Sequence, residues 1–264
     1  DAAFVTFMGV LTTGAFLIGF ALSLGASNVV VGVIAAAGPL AQILQLPSIV
    51  LIEKYRKRKA LALYAATISR LIWFVIALVP WIVPREYWIP SFVALLLVHF
   101  ATGNLANCAW NSWVRDLIPM PVFGTFFGKR MALATFIGAV LSVAGAIAVD
   151  AWTLHFGEPL GAYTIVFVVA TLSALISLFF IARMPEPEMP APSGTTVREI
   201  LKEPLRDAKF RAVLIFLGWW NFAVNFAAPF FAVYMLRKLE MSMVWVIGLS
   251  VLSQLVNVVF FRVW

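Results

Sequence analysis

The chain has 264 residues, 63% hydrophobic and 12% charged, with a mean hydropathy of +0.99. A soluble domain carries about 45–50% apolar and about 25% charged residues, so this composition excludes a soluble fold and indicates an integral membrane protein. The formal net charge is +7, but the basic residues flank hydrophobic runs, a pattern of membrane orientation rather than of nucleic-acid binding.

A helix needs about 20 apolar residues to cross the hydrocarbon core. Eight runs meet that need, over residues 3–24, 29–52, 60–83, 90–113, 131–154, 162–182, 212–235 and 242–262. They are solidly apolar rather than alternating, which excludes β-barrel strands and predicts an all-α polytopic membrane protein. Short connections make each consecutive pair among the first six an antiparallel hairpin. The chain begins at Asp1 and stops at Trp264 inside an apolar run, so it reads as trimmed at both ends, with no signal peptide legible.

Lys and Arg fall on one side of this arrangement. Lys54, Arg56, Lys57, Arg58 and Lys59, then Arg115, Lys129 and Arg130, then six in the 183–211 connection and Arg262 make fifteen. Only Arg85, Arg237 and Lys238 fall on the other. The positive-inside rule makes the 53–59, 114–130 and 183–211 connections cytoplasmic, as in a bacterial inner membrane.

Polar residues inside the spans mark sites, because an amide or charge in hydrocarbon is costly unless satisfied. The second span carries Gln42 and Gln45. The third carries Arg70, about ten residues and roughly 15 Å deep, which is expected to clamp neighbouring backbone carbonyls or amides; a substrate anion site is the alternative. The fourth carries His99, Asn104, Asn107 and Asn111, the three Asn at i, i+3, i+7 and so on one helical face. His99 is a candidate proton carrier or substrate ligand, or else a satisfied core histidine. Trp110 follows, with Trp113, as a stacking surface for a solute. Cys108, the only cysteine, cannot form an intrachain disulfide and is expected to pack as a small buried residue. Arg115, Asp116, Lys129 and Arg130 lie in a loop punctuated by Pro119, Pro121, Gly124 and Gly128, a candidate cytoplasmic gate. Asp150, near the outer end of the fifth span, is expected at the membrane interface.

The 183–211 connection starts as MPEPEMPAPSG, expected to be extended and exposed. From Thr195 it reads as short helices at the membrane surface. The seventh span carries Asn221, Asn225, Trp219 and Trp220, and the eighth Gln254 and Asn257. The alternative for all these amides is inter-helix hydrogen bonding, worth about 0.6 kcal/mol each on average. Shifted by 215 residues, Leu24–Gly32 overlays Leu239–Ile247 with Leu, Ser and two Val in common, so the restart repeats the beginning.

Six spans, a long linker and a restart make the chain resemble the major facilitator superfamily, as one six-helix half plus the first two helices of a second, truncated half. That family carries G-x-x-x-D-R-x-G-R-R after its second helix; Ile49, Glu53, Lys54, Arg56, Lys57 and Arg58 hold the matching places, with both glycines replaced. Many members have an Arg four residues before a Gly in the fourth helix, where His99 and Gly103 stand, and the Gly-Pro step of antiporter branches is not present in the fifth.

The resemblance implies domains at 1–182, 183–211 (linker) and 212–264. It implies a cavity lined by helices 1, 2, 4, 5, 7 and 8, with helices 3 and 6 outside, and a gate role for Glu53, Lys54 and Arg58. The expected function is a secondary active transporter working by alternating access as a monomeric unit. The expected partner is a neutral, amphipathic or weakly charged organic solute, with a coupling proton considered. The alternative is a non-transporting membrane scaffold or assembly factor of the same fold. No metal-ligand cluster, phosphate loop or nucleophile triad is legible, so neither enzyme activity nor a cofactor is expected.

Overall fold

The computed structural model describes residues 2–189 and 206–260, the last four by backbone alone. Among these residues the protein is all-helical, with no strand. Helices 2 to 7 (Asn28–Tyr55, Arg58–Ile82, Arg85–Leu117, Met120–Phe156, Leu160–Ala182 and Ala208–Lys238) are long and apolar enough to cross a membrane. Helix 8 (Met243–Phe260) is shorter over its fully described part. A helix satisfies its own backbone groups, which is why apolar sequence in hydrocarbon takes this form.

Helix 1 departs from the single span expected over 3–24. It is two helices, Ala2–Leu11 and Gly14–Ser23, bent by 41°. The cause is local: Thr13 is extended (φ −128°, ψ 178°) and Gly14 takes φ +57°, a left-handed conformation that favours glycine. The hydroxyls of Thr12 and Thr13 fold back onto the Met8 and Gly9 carbonyls.

Helix 6 packs on helices 1 and 3 through small residues. Ala170, Ala174 and Ser177, at i, i+4 and i+7, are fully buried, the small-residue seam that lets membrane helices approach closely. Beyond it lies an aromatic core. Phe20 meets Phe167 and Phe92 at centroid distances of 5.0 and 5.4 Å, and Trp73 meets Phe167 at 5.1 Å, all edge-to-face. Each such pair contributes about 0.5–1.5 kcal/mol beyond its burial.

The connection after helix 6 has no regular structure over its described part, as far as Met189, and it is not free. The carbonyls of Met184, Pro185, Pro187 and Met189 accept hydrogen bonds from Lys59, Trp113, Arg58 and Arg56. Trp113 is therefore fully buried in a second core cluster rather than available to a solute. The surface helices expected from Thr195 lie, as far as Leu205, outside the described residues. Residues 208–211 belong to helix 7, whose N-terminus is capped by Asp207 accepting from the Lys209 amide.

Helices 7 and 8 dock on the first six at the end away from the basic loops. Residues 206–228 are exposed throughout, and burial begins only at Pro229. Helix 8 buries Met243, Val246 and Ile247 and is exposed from Leu252 to Val256. At the same end Arg237 donates to the Ala26 carbonyl at 2.8 Å. The Asp150 carboxylate accepts from the amides of Met243 and Val244 at 2.8 and 2.7 Å, capping helix 8 from helix 5. Asp150 thus joins helices 5 and 8 at the outer end of helix 5.

Candidate functional site

A cavity of about 400 Å³ lies between helices 1, 3, 4, 5 and 6. It runs from Thr13, Arg70 and His99 to Ala62, Asn111 and Arg130 nearer the basic end. The break in helix 1 forms one wall, through Met8, Gly9, Thr12 and Thr13. Among the described residues, helices 2, 7 and 8 do not line it and helices 3 and 6 do, which departs in part from the expected lining by helices 1, 2, 4, 5, 7 and 8. The reason is side-chain size. Ala62, Ala66 and Ser69 face Gly103 and Ala106, and a Cβ on Gly103 would already sit 3.2 Å from Ser69 Oγ. Nothing there is large enough to screen helix 3 from the pocket.

The Asn face of helix 4 is split. Asn107 and Asn111 line the cavity, and Asn111 Nδ2 donates to Asn107 Oδ1 at 3.2 Å. Asn104 sits at the edge of that face and accepts from Gln45 Nε2 at 3.2 Å, joining helices 2 and 4. That pair is an inter-helix hydrogen bond outside the cavity.

His99 lines the pocket with both ring nitrogens engaged. Trp73 Nε1 donates to Nε2 at 3.1 Å, so Nε2 is an acceptor, because an indole nitrogen can only donate. The ring proton then belongs on Nδ1, 2.9 Å from the Ser69 carbonyl. This is a neutral, satisfied imidazole, and it weighs against His99 as a proton carrier.

Arg70 is 8% exposed and donates to the Ala174 carbonyl at 2.9 Å, the expected backbone clamp. Arg70 is also among the residues that line the cavity. Arg130, expected at the gate, lies in the pocket wall instead, its guanidinium carbon 4.7 Å from the centre of the Trp110 ring. The pocket therefore holds two cations, where the sequence suggested almost no fixed charge.

The other cavity candidates do not converge here. Gln42 is exposed. Asn221 and Asn225 are exposed and donate to the carbonyls of Leu217 and Asn221 on their own helix. Gln254 lines a separate cavity of about 380 Å³ between helices 1, 5 and 8. The Asn257 side chain lies outside the described residues.

Among the gate candidates the central contact is Arg58 with Asp116. Arg58, 1% exposed, pairs with the Asp116 carboxylate and also donates to the Ser112 and Pro187 carbonyls at 3.1 Å. Glu53 reaches Arg56 at 4.0 Å, and Lys54 lies over the Tyr55 ring. Arg115 lies 3.9 Å from Asp116 on the exposed side, and Lys129 is exposed. Arg56, in a glycine place of the motif, has φ +52°, so the backbone keeps a left-handed turn there.

The sequence pointed to no role for Asp150, Arg237 or the Thr12–Gly14 break. The Thr-Thr-Gly step is the one signal that marks the break. Among the described residues no three His, Cys, Asp or Glu side chains come together as a metal site. Compared with known proteins, the chain matches no family model, no curated protein and no solved structure.

Proposed function

We propose that the chain is part of a secondary active transporter of the major facilitator type, moving a small organic solute by alternating access. Residues 1–182 form the first bundle, 183–211 the linker and 212–264 the first two helices of the second. The basic loops face the cytoplasm under the positive-inside rule.

One observation carries this reading. The polar pocket beside the broken helix 1 extends toward the basic end, while Asp150 and Arg237 join helices 7 and 8 to the first bundle at the other end. A discontinuous helix beside a solute cavity is a recurrent transporter arrangement, and here the cavity is walled by helices of the first bundle. Contact at one end and separation at the other is the geometry of one access state. Arg58–Asp116 and the linker carbonyls brace the basic ends of helices 3 and 4, and the left-handed Arg56 supports the motif match.

Reconstitution into proteoliposomes with an imposed proton gradient tests it. Solute uptake above protein-free vesicles, lost in Asn107→Leu, is the expected result; equal uptake with and without protein contradicts it. The scaffold reading draws on residues 206–228, whose apolar surface includes Phe216, Trp219, Trp220, Phe222 and Phe226. A second bundle would cover that face, and so would another membrane protein, which co-purification from native membrane would reveal.

A further inference from the structure

Among the described residues, Arg70 and Arg130 line one cavity and no acid does. Among the same residues, Arg70 makes one hydrogen bond, to a backbone carbonyl, and no ion pair, and Arg130 meets the Trp110 ring. Arg70 lies well inside a span, where a charge at the centre costs about 2.5–3.5 kcal/mol and cations are ordinarily paired. Asn107 and Asn111 add amide donors, while Met8, Trp110, Phe127 and Ile181 supply an apolar remainder.

We propose that this pocket binds an amphipathic organic anion. Its carboxylate-, sulfonate- or phosphate-type head sits beside Arg130, Asn107 and Asn111 in a pocket whose other end carries Arg70, and its apolar body lies against Trp110 and Phe127. The cavity volume of about 400 Å³ suits a small organic molecule. As a claim about a transported solute, this rests on the transport reading; as a claim about what the pocket holds, it does not. The same head chemistry can arrive on a free solute or on an anionic lipid.

The test uses the whole chain in phosphatidylcholine nanodiscs, titrated with 2-naphthoate and with its uncharged amide, 2-naphthamide. Naphthoate is expected to bind at least tenfold more tightly than naphthamide. Arg130→Gln, which leaves the Arg70–Ala174 clamp intact, is expected to remove that preference, and Arg183→Gln, outside the pocket, to keep it. Native mass spectrometry in phosphatidylglycerol nanodiscs tests the lipid source: lipid retained by the unaltered chain and lost from Arg130→Gln supports the anion site with a membrane occupant. Equal affinity for acid and amide, binding of neither anion, or an Arg130→Gln protein indistinguishable from the unaltered chain would overturn the proposal. Naphthoate binding without uptake in proteoliposomes would uphold it and contradict transport of that anion.

Discussion

Arg58, at the first turn of helix 3, is buried with its guanidinium against the carboxylate of Asp116, in the last turns of helix 4. The two side chains are unequally covered, 2% exposed for Arg58 and 25% for Asp116. Removing either therefore has a different consequence. Without Arg58, Asp116 can turn to water. Without Asp116, Arg58 stays buried with only carbonyls to satisfy it.

Asp116→Ala is accordingly expected to be the more damaging change, costing about 3 kcal/mol, the lower end for breaking a buried pair. Arg58→Met should cost less. Thermal unfolding of the two variants in detergent checks the order; equal losses would mean that the burial difference has no energetic weight.

Asp150 holds helix 8 to helix 5 through two backbone amides. Asp150→Ala leaves both amides without a partner and is expected to weaken that docking by about 1–2 kcal/mol. Hydrogen exchange at Met243 and Val244 should accelerate roughly 5- to 30-fold, since 1.4 kcal/mol is one factor of ten. Unchanged exchange at those amides would show that the cap contributes nothing.

Gly19 lies where helices 1, 6 and 8 converge. A Cβ there would overlap the Tyr163 hydroxyl and sit 2.9 Å from Met243 Cε. Gly19→Ala is expected to cost about 1–3 kcal/mol by overpacking and to lower the melting temperature. Gly9→Ala, with nothing within 4 Å of the added atom, is the control expected to melt near the unaltered protein.

The hydrogen bonds of His99 fix its tautomer. Nitrogen-15 shifts of the ring at neutral pH are expected to report a protonated Nδ1 and a bare Nε2. Trp73→Phe removes the donor to Nε2 and should shift that nitrogen alone. A doubly protonated ring in the unaltered chain would contradict this geometry.

Much of the helical plan was legible because hydrocarbon imposes one demand on every span, and length and apolarity report it directly. Arg70 was legible in the same way: depth alone required a partner, and the Ala174 carbonyl supplies it. The site was less so. The spacing of Asn104, Asn107 and Asn111 gives a shared face but not its neighbours. Which of them meets a cavity depends on Gln45 of helix 2 and on the small residues of helix 3. Arg130 read as a loop residue because the pattern placed the fifth span from 131, whereas helix 5 starts at Met120 and carries Arg130 into the pocket wall. The break in helix 1 was hidden for a related reason. Thr and Gly are apolar enough to continue a hydrophobic run, and the run records nothing about φ.

Alternating access requires the two ends to open in opposition, and paired spin labels measure that most directly. In the whole chain with Cys108→Ser, one label pair is placed at Ser27 and Lys238, at the Asp150 end, and another at Lys57 and Lys209, at the basic end. Each pair is expected to give two distance populations in lipid. A crosslink joining Ala26→Cys to Arg237→Cys should remove the long population at its own end and the short one at the basic end together. A single distance at each end, untouched by the crosslink, would contradict a rocking transporter.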